Sequence, residues 1–226
     1  MNDIATCNLR VLLAIVAALS IGCNHQQVQG IKSALGNVGH GYVTYSNTGS
    51  LSMVPTIGRN DVVVVDKSAY GRAVPARGDI IVFEAPIDVR DAVIRRVIAL
   101  PGDRLEVTRG WFVINGSRMH RVWRDFHPLY TLAIHNYQVF VDTTPLNIGY
   151  ADIPARSRWT TPNRLPSGCY FTIGDNVNIA EDSHVWGCTE LTGTFSSGIR
   201  AGQAARLVGK VVKVIPLADR SADGTH

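Results

Sequence analysis

Lysine is nearly missing from this chain. Four of its 226 residues, Lys32, Lys67, Lys210 and Lys213, carry a primary amine, against 18 arginines. Chemistry that needs a neutral amine as base therefore has four side chains to draw on. Missing too is any basic run longer than the pair Arg95-Arg96, so the net charge of +4 is scattered. Scattered cations form no stripe that could track a phosphate backbone, which argues against a nucleic-acid partner. Charged residues are few at 18%, but hydrophobic ones reach 46%, which excludes a disordered chain. Glycine (21) and proline (10) stand near average usage and exclude collagen-like or Pro-rich low complexity. No internal repeat is present, and after the N-terminus no long segment repeats apolar residues at helical spacing. What remains is enough chain for one large domain or two small ones with a proper core.

One apolar run stands out, Val11 to Cys23 (VLLAIVAALSIGC), after a polar start that carries Arg10. As a helix it would span about 20 Å, against the roughly 30 Å of a bilayer's hydrocarbon core. That length suits the apolar stretch of a secretory signal, or a short tilted anchor helix. Cys23 directly follows Gly22, and this junction is similar to the lipidation site of a bacterial lipoprotein signal, although Ser20 stands where such signals carry Leu. Both readings, anchor helix and lipid on Cys23, tether an exported domain to a membrane. In an oxidising compartment Cys169 and Cys188, on either side of one dense polar stretch, are candidates for a disulfide; two buried thiols are the alternative.

Residues 24–47 are polar and Gly-rich and read as a linker. Short β-branched runs follow at Val62–Val65, Asp79–Phe83, Val93–Leu100, Trp111–Asn115, Gln138–Val141, Cys169–Ile173 and Leu207–Ile215. Turn signals punctuate them: Pro75-Ala76-Arg77-Gly78, Pro101-Gly102-Asp103 and Asn115-Gly116. The expected fold is mostly β and antiparallel. Segment 117–166 is less regular, richer in His, Trp and Pro, and reads as a lobe inserted into that domain. The expected organisation is an N-terminal signal or anchor segment (1–23), the linker (24–47), a β domain (48–216) and a tail (217–226).

Four polar clusters interrupt the strands. The first is Gly49-Ser50-Leu51-Ser52-Met53-Val54-Pro55-Thr56. Hydroxyls two residues apart in extended chain point the same way, so one could attack while the other helps hold an oxyanion. The others are Arg77-Gly78-Asp79, the strand Ile94-Arg95-Arg96-Val97 running into Leu100-Pro101-Gly102-Asp103, and Gly174-Asp175-Asn176 continuing to Asp182-Ser183-His184-Val185-Trp186-Gly187. Singly, each is an ordinary strand-ending turn.

In this order and spacing, from about Ser50 to Gly187 with Leu207–Val211 closing the pattern, the blocks resemble bacterial signal peptidase I, the S26-type leader peptidases that use a Ser/Lys dyad. The resemblance implies a membrane-anchored, mostly β serine endopeptidase that needs no cofactor. Such enzymes remove signal peptides from exported preproteins on the outer face of the cytoplasmic membrane. It implies Ser52 as nucleophile and an oxyanion site made by the Ser50 hydroxyl and the Ser52 backbone N–H. It also implies shallow pockets for small substrate residues, lined by Met53, Ile57 and Ile94. The partners implied are signal peptides and membrane lipid. Asp175, Asn176, Ala180, Asp182 and His184 are the structural neighbours of that site.

The chain departs from the pattern around one group. The position of the general-base lysine holds Arg95, and a guanidinium, with a pKa above about 12, stays protonated. Ala180 stands where the serine that hydrogen-bonds the lysine is expected, Val93 where a tyrosine is expected, and His184 where an arginine would pair with Asp182. Three functions follow: a relative that binds signal-peptide-like segments without cleaving them, a peptidase using another base such as His184 or a water, and a specialised peptidase maturing pilin or conjugation proteins. His120, His127 and His135, spaced seven and eight apart with no Cys pair nearby, match no metal site.

Overall fold

The computed structural model describes residues 41–47, 50–59, 61–84, 92–108, 111–118, 120–129, 132–141, 144–148, 163–177, 179–191 and 205–216. The expected anchor segment with Cys23, most of the linker, and the C-terminal tail lie outside them. Among the described residues no helix is long and apolar enough to cross a membrane.

The described chain is almost entirely antiparallel β. Strands β1 (Tyr42–Ser46), β2 (Val62–Asp66), β3 (Ile80–Glu84), β4 (Ala92–Ala99), β12 (Cys169–Ile173), β13 (Thr189–Glu190) and β14 (Arg206–Ile215) form a seven-stranded sheet in the order β1-β2-β14-β3-β4-β12-β13. A second sheet joins β5 (Arg104–Thr108), β6 (Trp111–Ile114), β7 (Ser117–Arg118) and β11 (Asn163–Arg164) in the order β11-β5-β6-β7. A third joins β8 (His120–Leu129), β9 (Leu132–Val141) and β10 (Thr144–Ile148) in the order β10-β9-β8. A short helix, α1 (Ser183–Trp186), is capped by the Asp182 carboxylate, which accepts from the His184 N–H.

Period-two alternation distributes the apolar residues of the large sheet. Val82 on β3 joins Met53, Ile57, Val63, Val65, Ile94 and Val208 in one core, with Ile80 packed on it. Ile81 and Phe83 of the same strand join Val97, Tyr170 and Ala205 in another. Both faces are covered, which is why β2 is a near-unbroken run of valine rather than an alternating strand. The third core packs Ile98, Leu105, Ile114 and Ile173 around an edge-to-face pair, Phe112 and Phe171, with ring centroids 5.5 Å apart. Strand β14 holds the sheet together by pairing with β2 through Lys210–Ile215 and with β3 through Arg206–Lys210.

Turn chemistry accounts for the tight connections. Asn115 (φ 52°) and Gly116 (φ 83°) make the two-residue hairpin between β6 and β7, as the Asn-Gly pair predicts. Gly102 (φ 85°) sits at the third position of a turn in which the Asp103 N–H donates to the Leu100 carbonyl at 3.0 Å.

Three expectations need correction. The linker does not extend to residue 47, because Tyr42–Ser46 forms β1, paired with β2 from Tyr42↔Asp66 to Ser46↔Val62. Its Tyr-Val-Thr-Tyr pattern has high β propensity that the surrounding polar residues obscure. Strand β5 lies where no strand was expected. Segment 117–166 is also more regular than its composition suggests: β8 and β9 are ten residues each and pair from His120↔Phe140 to Leu129↔Leu132. Proline and charge inside β8 hide that alternation, but Pro128 is tolerated where its strand pairs on one side alone, with β9.

Candidate active site

Four segments converge. Residues 51–57 form a tight turn at the edge of the core that contains Met53 and Ile57, with the Ile57 N–H donating to the Met53 carbonyl at 2.9 Å. Strand β4 brings Arg95 and Arg96. The loop after β12 brings Gly174, Asp175 and Asn176, the approach to α1 brings Ala180 and Asp182, and α1 itself brings His184.

The turn carrying Ser52 is clamped to the Gly-Asp-Asn loop by its backbone. The Asn176 N–H donates to the Ser52 carbonyl at 3.0 Å, and the Asn176 side-chain amide donates to the Leu51 carbonyl at 3.3 Å. Gly174 lets the two segments approach: a Cβ at this position would lie 2.4 Å from the Ser52 carbonyl oxygen and 2.4 Å from the Ala180 Cβ. Any side chain there would push the serine turn away.

Consecutive arginines on β4 take different partner sets, as alternation along a strand requires. Arg96 is buried and grips Asp175 with Nε at 2.7 Å and Nη2 at 2.5 Å. Thr56 donates its hydroxyl to the same carboxylate, and Arg96 also reaches the Gly78 carbonyl at 2.9 Å. This bidentate, charge-assisted pair fixes β4 against the serine turn and the Gly-Asp-Asn loop. Asp175 holds the Arg96 pKa above its ordinary value, although burial pulls the other way.

Arg95 points its guanidinium at the serine. Nη1 donates to Ser52 Oγ at 3.2 Å and to the Ile94 carbonyl at 2.7 Å, while Nη2 donates to the Glu181 carbonyl at 2.6 Å. Burial lowers its pKa, and the charges of Asp182, Glu181 and Asp175 oppose that shift. A guanidinium that starts above about 12 remains a cation at neutral pH. Ser52 Oγ lies 3.0 Å from Ser50 Oγ, and the Ser52 N–H donates to Ser50 Oγ at 3.4 Å. The two hydroxyls and the backbone N–H thus form one small cluster of donors, with Arg95 donating into it.

Behind the cluster, Asp182 is wholly buried and spends its carboxylate on the Gly174 N–H at 2.8 Å, the His184 N–H at 3.0 Å and the His184 Nδ1. His184 is also wholly buried, and its Nε2 has no hydrogen-bond partner among the described residues. No hydrogen bond joins its ring to Ser52. Cys169 and Cys188 form a disulfide with Cα atoms 5.6 Å apart, closing the segment that bears Asp175 to His184. Met53 and Ile57 from the serine turn and Ile94 from β4 are all buried in one core. Sequence reasoning placed Ser50, Ser52, Arg95, Ala180 and Asp182 in one neighbourhood. It did not single out Thr56 or the Glu181 carbonyl, and only the pairing of Arg95 with Arg96 on one strand hinted at the second arginine's role.

The profile of a family described as signal peptidase, peptidase S26, matches residues 40–198. The chain belongs to the signal peptidase family. A signal peptidase I of Leptolyngbya laminosa is 33% identical over 145 residues, which covers 61% of this chain and 58% of that protein. A probable signal peptidase I-1 of a Synechocystis strain is 37% identical over 146 residues, covering 60% and 59%. The match therefore spans little more than half the length of these relatives. A crystal structure of a signal peptidase I from Enterococcus faecalis is 24% identical, covers 52% of this chain and 90% of that one, and superposes with a TM-score of 0.31.

Proposed function

We propose that this signal peptidase family member binds the cleavage-site region of signal peptides at a membrane and cleaves it slowly for want of a side-chain base. The observation that carries this reading is the hydrogen bond from Arg95 to Ser52 Oγ at 3.2 Å. In a Ser/Lys dyad the amine must be neutral to take the serine's proton. A guanidinium in its place has donors and no acceptor, so it can steady a negative oxygen and cannot deprotonate a hydroxyl. Ala180 supplies no hydroxyl to orient an amine either.

The attacking side of the reaction is kept. Ser52 is the nucleophile, and Ser50 with the Ser52 N–H is placed to meet an oxyanion after the Ser50 hydroxyl turns toward it. Met53, Ile57 and Ile94 form the apolar floor against which small substrate residues would pack. Losing a general base typically costs about 10²–10⁴ in rate, so turnover falls far more than binding does. The N-terminal segment would hold the domain on the outer face of the cytoplasmic membrane, through an anchor helix or through lipid on Cys23. Lipid labelling of the full chain and of Cys23→Ser separates these two: label that survives the substitution rules out lipid on Cys23.

One feature favours a second reading, in which His184 supplies the base. Its ring is oriented by a buried carboxylate, and its Nε2 is unpartnered among the described residues. To act it would have to reach Ser52 directly or through one water. Binding and cleavage of a signal peptide ending its targeting region in Ala-x-Ala, measured with the full chain in detergent, test the proposal. Binding with slow cleavage that Ser52→Ala abolishes supports it. Failure to bind defeats it, and rapid cleavage lost in His184→Asn favours the second reading.

A further inference from the structure

The polarity of the hydrogen bonds around Ser52 has a consequence for the ligand. Arg95 can only donate, so Ser52 Oγ accepts from it at 3.2 Å. The Ser52 proton is then directed either at Ser50 Oγ, 3.0 Å away, or out of the cluster toward a ligand. Whichever serine donates to the other, one hydroxyl proton is left over, and among the described residues no side-chain carboxylate hydrogen-bonds to either hydroxyl. Ser50, the Ser52 hydroxyl and N–H, and the buried Arg95 cation together make a site of donors. Charge-assisted hydrogen bonds are roughly twice as strong as neutral ones, and weak screening near a buried cation adds to the gain. A neutral scissile amide draws little from this arrangement compared with a carboxylate.

We propose that the Ser50–Ser52–Arg95 cluster is a binding site for the C-terminal carboxylate of a peptide that ends in a small residue. The inference rests on the proposed binding of signal-peptide segments and specifies the form bound: the released, carboxyl-ended peptide in preference to the uncut chain. The carboxylate accepts the hydroxyl proton left over by the Ser50–Ser52 pair, and the second once the bond between the two serines opens, while Arg95 holds the Ser52 oxygen and supplies the charge. The last side chain packs toward the apolar core of Met53, Ile57 and Ile94. Such a carboxylate can come from a cleaved signal peptide or from the C-terminus of an exported protein.

Two synthetic peptides ending in Ala-x-Ala, one a free acid and the other a carboxamide, are titrated against the full chain in detergent at neutral pH. The free acid is expected to bind at least about tenfold tighter, the gain expected of one charge-assisted hydrogen bond. The preference should shrink as pH falls through the carboxyl range near about 3.5. In Arg95→Gln the acid should lose most of its advantage over the carboxamide; Ser52→Ala, which leaves β4 untouched, should at least halve the preference if Arg95→Gln does not fold. Equal binding of acid and amide overturns the inference and leaves signal-peptide binding standing. No binding of either overturns both. Repeating the titration with and without an apolar signal stretch before Ala-x-Ala identifies the source: tighter binding with it points to released signal peptides, and equal binding to small-residue C-termini in general.

Discussion

Arg95 Nη1 donates to Ser52 Oγ at 3.2 Å, so the residue beside the proposed nucleophile holds the serine's oxygen and cannot take its proton. The guanidinium is also fastened to two backbone carbonyls, of Ile94 and Glu181, which fixes it in that role. The expected pH dependence of the residual reaction follows. With hydroxide accepting the proton, the logarithm of kcat/KM should rise by about one per pH unit across the neutral range. A histidine base would instead level the profile where imidazole titrates. Initial rates from pH 5 to pH 9 with a fluorogenic signal peptide distinguish the two.

The Arg96–Asp175 pair should be among the most costly contacts to break. Both groups are buried, and the contact is bidentate at 2.7 and 2.5 Å. Asp175→Asn leaves a buried cation uncompensated, and a loss of about 3–5 kcal/mol is expected in urea unfolding. Arg96→Lys should rescue little, because a point charge cannot reproduce the two-pronged contact or also reach Gly78.

Gly174→Ala tests how closely the serine turn is held. The added carbon meets the Ser52 carbonyl oxygen and the Ala180 Cβ, both at 2.4 Å, and neither is the end of a flexible side chain. A destabilisation of about 1–3 kcal/mol is expected, together with weaker peptide binding because Ser52 moves. Unchanged affinity in a folded variant would mean that the serine turn does not form the binding surface.

The Cys169–Cys188 disulfide closes a segment with a sequence separation of 19. On chain entropy alone its loss should cost about 3 kcal/mol. A drop in Tm on adding reductant, matched by Cys169→Ser with Cys188→Ser, is the expected result. The residues it encloses, from Asp175 to His184, should show the largest rise in amide exchange.

Much of this arrangement was legible in the sequence, for reasons that differ by element. Strands β2, β3, β4 and β12 declare themselves because both of their faces are buried, and the Asn115-Gly116 hairpin because few other pairs take its backbone geometry. Strand β1 and the long β8–β9 hairpin were hidden by polar, aromatic and proline residues, since β propensity depends on neighbours that sequence does not display. Ser52 and Arg95 could be placed through ordered motifs. The direction in which Arg95 points could not, nor could the sharing of Asp175 between Thr56 and Arg96. These depend on how two distant turns close on β4.

On the proposed reading, cleavage is limited by the missing base and by nothing else in the cleft. Its most direct test is the rate of Ala-x-Ala signal-peptide cleavage by the native full chain, by Arg95→Lys combined with Ala180→Ser, and by that double variant with Ser52→Ala. Restoring an amine and its hydroxyl partner should raise the rate by at least about 10², and Ser52→Ala should abolish the gain. A native chain that cleaves as fast as the double variant would mean that the missing base does not limit cleavage.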